Sequence, residues 1–113
     1  MDAQNDSLRD LQALLVRQLK KLHDAMDDVT NSDQADAIVR EMQEVNHRIA
    51  LVGGLLFASQ SKKLETKVAA VRKATQQVAA AISDLKNLQG FLDTLSDFLG
   101  LVDEAIDLAK TLV

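Results

Sequence analysis

The chain has 113 residues, a length that suits one domain with a single core and is too short for two independent ones. It contains no Cys and no Pro, which excludes disulfides and thiolate metal sites and leaves few residues that break helices. Its formal net charge of -4 argues against general binding to nucleic acid or anionic membranes, because both depend on concentrated Lys and Arg. We therefore expect one helical domain over residues 1–113 and no nucleic-acid partner.

Apolar residues recur at steps of three and four along most of the chain. This spacing places them on one face of a helix, and each apolar face has to be covered by another helix. Apolar residues make up 47% of the chain and aromatic residues only 3%, so the core consists of Leu, Val, Ile and Ala. The pattern predicts an all-α fold, an antiparallel four-helix bundle with helices at about 7–29, 33–58, 61–88 and 91–112.

The first predicted helix ends in a run of short polar side chains, from Asp27 to Asp33. Such side chains bond the backbone locally and so compete with the helix. Asn31 with Gln34, or Thr30 with Asp33, has the spacing of a capping box at the start of the second helix. The second helix then presents Asp36 with Arg40 and Glu44 with Arg48, each one turn apart, as exposed ion pairs.

The second predicted helix loses its polar face after Arg48, because residues 49–58 are apolar on every side. We expect this segment to be buried all round. Ala50, Gly54 and Ala58 recur every four residues with Gly53 beside them, and small residues let a second helix backbone approach closely. The candidate interaction face is therefore Ala50, Gly53, Gly54 and Ala58, which either packs inside the bundle or contacts a second copy.

The boundary between the second and third helices is open to two interpretations. Residues 59–61 suit a short turn with Ser61 as the cap of the third helix, which is the prediction we adopt. Against it, Lys62, Lys63 and Lys67 fall in the opening turns, where the helix dipole disfavours cations. The alternative is three helices, with one long central helix at about 33–88 flanked by two shorter ones.

The last two helices carry opposite charge. Residues 61–90 hold six cations and two anions, whereas residues 91–113 hold five anions and one cation. We expect these charges to pair between neighbouring helices. Gly90 suits the left-handed position past the end of the third helix.

The sequence contains no strong motif for a metal site or a catalytic site. Glu44 and His47 have the Glu-x-x-His spacing of di-iron bundles, but only one copy exists and His47 lies opposite the apolar stripe, so we predict no metal and no cofactor. A Gly-rich phosphate loop and a nucleophile elbow are both missing, and we therefore predict that the chain is not an enzyme. The polar, acidic start from Met1 to Asp6 lacks the features of a secretion signal, so we expect a cytoplasmic location.

The predicted function is a non-enzymatic helical module for protein–protein interaction, of the assembly, adaptor or inhibitor type, which also associates with itself. The sequence does not identify its protein partner. A membrane span is not expected, because the uncharged stretch at 49–61 is shorter than the roughly 20 residues that cross a bilayer. The alternative function is a membrane-active helical protein with an apolar hairpin at 49–58.

Overall fold

The computed structural model describes residues 3–113; Met1 and Asp2, part of the polar start discussed above, lie outside the described residues. Four α-helices make up most of the chain: α1 Asp6–Ala25, α2 Ser32–Gly53, α3 Lys62–Ile82 and α4 Leu88–Lys110, with a short 3-10 turn Met26–Asp28 after α1. No strand occurs within the described range. The predicted all-α four-helix bundle is confirmed.

Each helix begins in the same way, with a short polar side chain that accepts a hydrogen bond from a backbone N–H three residues later. The caps are Asn5, Asn31, Ser61 and Asn87. Each cap satisfies one of the amide groups that the first helical turn leaves without a partner. Asn31 caps α2 by accepting the backbone N–H of Gln34 at 2.9 Å, as predicted. The return bond differs from that of a capping box, since Gln34 Oε1 accepts the backbone N–H of Thr30, at 2.8 Å, and not that of Asn31.

Successive helices run antiparallel, and α1 and α4 each pack mainly against α2 and α3. At one end of the bundle, which we call the base, Ser59 N donates to Leu112 O at 2.8 Å. At the opposite end, the top, Gln34 Nε2 donates to Leu85 O at 3.2 Å. The connection over residues 54–61 therefore crosses the base diagonally, from α2 to α3.

This crossing decides between the two predicted architectures. α2 ends at Gly53, and Ser61 Oγ caps α3 by accepting the backbone N–H of Leu64 at 3.1 Å. The long central helix over 33–88 is therefore wrong. The adjacent Gly53 and Gly54 favour the break at this point, because glycine is a poor helix former.

The core uses most of the predicted heptad positions and, in addition, Phe91 and Phe98, each 1% exposed. The expectation that the core consists of Leu, Val, Ile and Ala is therefore wrong, because the two largest buried side chains are aromatic. The largest side chains that are less than 2% exposed come from all four helices: Phe91, Phe98, Leu8, Leu11, Leu15, Leu22, Ile38, Leu64, Leu95, Ile106, Val45 and Val52. Burying one such side chain fully contributes about 1.5–3 kcal/mol. The core therefore extends along the whole bundle and leaves its outer surface for contacts.

The helix ends differ from the predicted ones at four places, the first being α1, which ends at Ala25 and continues only as the 3-10 turn rather than as a helix to about residue 29. α2 ends at Gly53 rather than near residue 58, and α3 ends at Ile82 rather than near residue 88. α4 begins at Leu88, because Asn87 Oδ1 accepts the backbone N–H of Gly90 at 3.1 Å. Gly90 consequently lies in the first turn of α4, and its predicted left-handed conformation is wrong, since no glycine in the described range has positive φ.

Candidate functional site

The four residues of the predicted interaction face do not share one helix face. Ala50 and Gly53 lie on the exposed side of the last turns of α2, and Gly54 follows the helix in an exposed turn. Ala58 lies in the base crossing, 6% exposed, where its carbonyl accepts a hydrogen bond from Asn5 Nδ2 at 3.1 Å. The spacing of four residues fails as a guide here because the helix stops at Gly53.

The apolar segment at 49–58 is not buried on every side, contrary to the prediction. Leu51 is 36% exposed and Phe57 is 67% exposed. After Gly53 the chain crosses the base as a single layer, so that one side of the crossing packs on the bundle and the other faces outward. Part of the apolar surface that the sequence assigns to the core is therefore on the outside of the chain.

A second apolar surface lies on the outer side of the α1–α2 hairpin. A groove of about 660 Å³ runs between the two helices, and we call it the outer groove. Its apolar lining comes from Val16 and Leu19 of α1 and from Val39 and Met42 of α2. Val16 is 50% exposed and Val39 is 42% exposed, so neither valine is used by the core.

The outer groove exists because both helices carry apolar residues beyond the stripe that the core covers. Val16 follows the buried Leu15, and Val39 follows the buried Ile38. A step of one residue turns a side chain by about 100° around a helix, which moves both valines to the edge of the stripe. Sequence reasoning missed the outer groove, although these two surplus valines are its visible signal.

Two of the predicted residues continue the outer groove toward the base. Ala50 and Gly53 come four and seven residues after Asn46, which lines the groove, and so lie on the same side of α2. Beside them, Gln12 Nε2 donates to Ile49 O at 3.5 Å, and a Cβ built on Gly53 would lie 3.3 Å from that Nε2. The surface of α2 is recessed at this point, because neither Ala50 nor Gly53 has a long side chain.

One pair of opposite charges, Lys20 and Asp24 of α1, lines the outer groove. On α1, Lys20 Nζ lies 3.0 Å from Asp24 Oδ2, and both side chains are exposed. On α2, Asp36 and Arg40 are both exposed and one turn apart. The predicted Asp36–Arg40 ion pair is not among those formed within 4.0 Å in the described residues. Asp36 and Arg40 do not line the groove, whose charged lining comes from α1.

Arg48 fixes the position of α2 against α4. Its Nε donates to Asp103 Oδ1 at 2.7 Å and its Nη2 to Asp103 Oδ2 at 3.0 Å, while Nη1 donates to Glu44 Oε2 at 2.8 Å. The hydrogen bond to Asp103 is the main reason why the pKa of Arg48 is raised, with Glu44 adding to it. The predicted Glu44–Arg48 pair is thus confirmed, and the two-pronged contact with Asp103 holds the hairpin on the rest of the bundle.

The Glu-x-x-His residues are not brought together as ligands. Glu44 is engaged by Arg48, and His47 is exposed, as predicted. Within residues 3–113, no three side chains of His, Asp or Glu are grouped as a metal site would require.

Two polar side chains are buried on the core side of the hairpin. Gln18 is 2% exposed and Glu41 is 7% exposed, and neither Gln18 Oε1 nor Glu41 Oε2 has a hydrogen-bond partner. Burial raises the pKa of Glu41, and the negative charge of Glu44 raises it further, against the opposing effects of Arg48 and Arg40. Sequence spacing could have found Glu41, which lies three residues after Ile38 and four before Val45 on the same apolar stripe.

Comparison with other proteins adds no assignment: no family model, curated protein or solved structure matches the chain. Within the described part of the chain, none of the helices has both the length and the apolar character that crossing a bilayer requires.

Proposed function

We propose that the chain is a non-enzymatic helical module for protein–protein interaction, of the assembly, adaptor or inhibitor type, which associates with itself through the outer groove. The observation that carries the proposal is the pair of half-exposed valines, Val16 and Val39, in one apolar groove between two helices. Grooves between adjacent helices are where the side-chain ridges of a further helix pack.

The energetics favour a reversible contact. Complete burial of an exposed valine contributes about 1.5 kcal/mol at the low end of the usual range, so covering each half-exposed valine contributes roughly 1 kcal/mol. Leu19 and Met42 are already partly buried and add less. Because association also costs translational and rotational freedom, the expected complex forms at high protein concentration and dissociates on dilution.

The test is the mass of the protein in solution over a concentration series, measured by sedimentation velocity. We expect the average mass to rise from the 12.4 kDa of one chain toward twice that value as concentration increases. Val39→Lys places a charge in the outer groove and should hold the protein at the mass of one chain. Val113→Lys is the matched control, because Val113 is 84% exposed and does not line the groove. A Val39→Lys protein that associates as the parent does would contradict the proposal.

A second candidate function is attachment to a membrane surface through the base. It is favoured by Phe57, which is 67% exposed on the base crossing, with the exposed Lys62 and Lys63 five and six residues further on. An aromatic side chain with nearby lysines suits the interface of an anionic bilayer. Residues 49–53 are the last part of α2 and residues 54–58 form a turn, so the segment is not the predicted hairpin.

Co-sedimentation with vesicles tests this second candidate. Binding to vesicles that contain phosphatidylserine, weaker binding to neutral vesicles, and loss of binding in Phe57→Ser would support it. Equal recovery of parent and Phe57→Ser protein in the supernatant would exclude it.

A further inference from the structure

We propose that His23 makes self-association through the outer groove dependent on pH, such that protonation of its imidazole ring separates the two copies. The inference rests on the proposed self-association and names how that contact is regulated. His23 lines the groove beside the apolar side chains of Val16, Leu19, Val39 and Met42. Histidine is the side chain whose charge ordinarily changes between about pH 5 and 8.

His23 lies where a second copy has to cover it. It is exposed in the last turn of α1, four residues after Leu19 and seven after Val16, so the three side chains share one face of the helix. The opposite side of the groove is lined by four residues of α2: Val39, Met42, Gln43 and Asn46. None of these four side chains ionises. A second copy that fills the groove therefore removes water from the ring without offering it a charge from α2.

The charged groups that face His23 come from its own helix. Lys20 and Asp24 line the groove with it and carry opposite charges. All lining residues in the described structure belong to α1 and α2. The other charged side chains within four residues of His23 or Val39 lie outside the lining: Lys21, Asp27, Asp36, Arg40 and Glu41. The net charge of the lining is therefore set by the protonation of His23.

Protonation of His23 opposes the contact for two reasons. A charged ring loses more hydration free energy than a neutral one when an apolar surface covers it. In addition, the lining then carries two cations, Lys20 and His23, and one anion, Asp24. A second copy brings the same excess of positive charge, and like charges across an interface disfavour association. Both effects act in the same direction, whichever way the second copy is turned.

The sign of the pH effect distinguishes a second copy from other occupants of the groove. An acidic partner gains an attraction when His23 becomes charged, so its binding strengthens as pH falls. A second copy carries the same titrating ring, so self-association weakens as pH falls. Proton release on association gives this sign, because the associated state holds the neutral rings.

Glu41 also responds to pH, and its effect has to be separated from that of His23. Burial on the core side of α2 raises the pKa of Glu41, so falling pH removes a buried negative charge and favours the folded chain. Titration of Glu41 therefore does not unfold the bundle as pH falls. A substitution of His23 leaves Glu41 in place, so the contribution of His23 is the difference between parent and variant.

Sedimentation velocity at two pH values, about 8 and about 5.5, tests the inference at constant ionic strength. The dissociation constant of the parent should be about tenfold or more higher at the lower pH, since two rings, one from each copy, have to lose a proton. His23→Gln is neutral throughout and should associate equally at both values. His23→Lys is charged throughout and should associate at the higher pH as weakly as the parent does at the lower one.

His47 provides the matched control. It is the second of the two histidines in the chain, is exposed on α2 and does not line the outer groove. His47→Gln and His47→Lys change the net charge as the His23 variants do, and both should keep the pH dependence of the parent. Circular dichroism at both pH values checks that each protein stays helical.

The outcomes separate this inference from the proposed function. If the parent associates equally at both pH values, or more tightly at the lower one, the regulation by His23 is wrong although self-association stands. A pH dependence that survives in His23→Gln, or disappears in His47→Gln, likewise overturns the role of His23. A parent that stays at the mass of one chain at every concentration and at both pH values overturns the proposed self-association together with this inference.

Discussion

Glu41 places a carboxyl group on the core side of α2, where water solvates it poorly. Burial raises the pKa of Glu41 above its ordinary value of 4.5, and Oε2 has no hydrogen-bond donor to offset the loss of water. The folded state therefore holds this proton more tightly than the unfolded chain does. Its stabilising contribution is complete below the ordinary pKa and is lost as pH rises through the raised one.

Glu41→Gln should remove this dependence on pH. We expect the free energy of unfolding of the variant, relative to the parent, to increase as pH rises from about 4 to 8, because only the parent has to ionise a buried group. Denaturant unfolding at a series of pH values measures the difference. Glu65→Gln is the control, since Glu65 is exposed on α3. A difference between Glu41→Gln and parent that stays constant over this range would refute the raised pKa.

Helix ends depend on single contacts between side chain and backbone, which the sequence reveals only in part. Asn5 caps α1 by accepting the N–H of Leu8 at 3.1 Å, and its own Nδ2 donates to Ala58 O, 53 residues away. The cap follows from residue type and local spacing, whereas the second bond depends on where the base crossing runs. For the same reason, the sequence places Asn87 at a helix boundary but does not tell whether it begins α4 or ends α3.

Helix periodicity predicts which residues are buried better than it predicts which apolar residues stay exposed. Leu15 and Ile38 follow the heptad pattern and are fully buried, as expected. Val16 and Val39 are visible in the sequence as surplus apolar residues. Whether another helix covers them depends on which helices are neighbours, and α1 packs mainly on α2 and α3, so its outer side stays free. The outer groove thus depends on the arrangement of helices, which periodicity alone does not fix.

Across the whole molecule, ion pairs join helices in more combinations than the opposite charges of α3 and α4 indicate. Lys67 and Glu104 connect α3 with α4 at 3.4 Å, as predicted for that pair of helices. Arg72 instead reaches Asp10 of α1 at 3.2 Å, and Asp103 of α4 is taken by Arg48 of α2. The opposite net charges of two segments therefore do not tell which residues form ion pairs, because each helix in the bundle has two neighbours.

These ion pairs should differ in their contribution to stability. The side chain of Arg48 is 14% exposed and makes two hydrogen bonds to Asp103, whereas both side chains of the Lys67–Glu104 pair are about half exposed. Asp103→Asn leaves a largely buried guanidinium with a weaker partner, which should cost about 1–2 kcal/mol of unfolding free energy. Glu104→Gln removes an exposed pair and should cost at most about 1 kcal/mol.

Salt distinguishes the two cases, because it screens exposed charges and acts little on shielded ones. In urea unfolding at low salt and again at about 1 M salt, where the screening length is about 3 Å, the cost of Glu104→Gln should vanish. The cost of Asp103→Asn should largely persist, since the hydrogen bonds to Arg48 depend on geometry as well as charge. Equal costs for the two variants, both abolished by salt, would show that Arg48 does not hold α2 on α4.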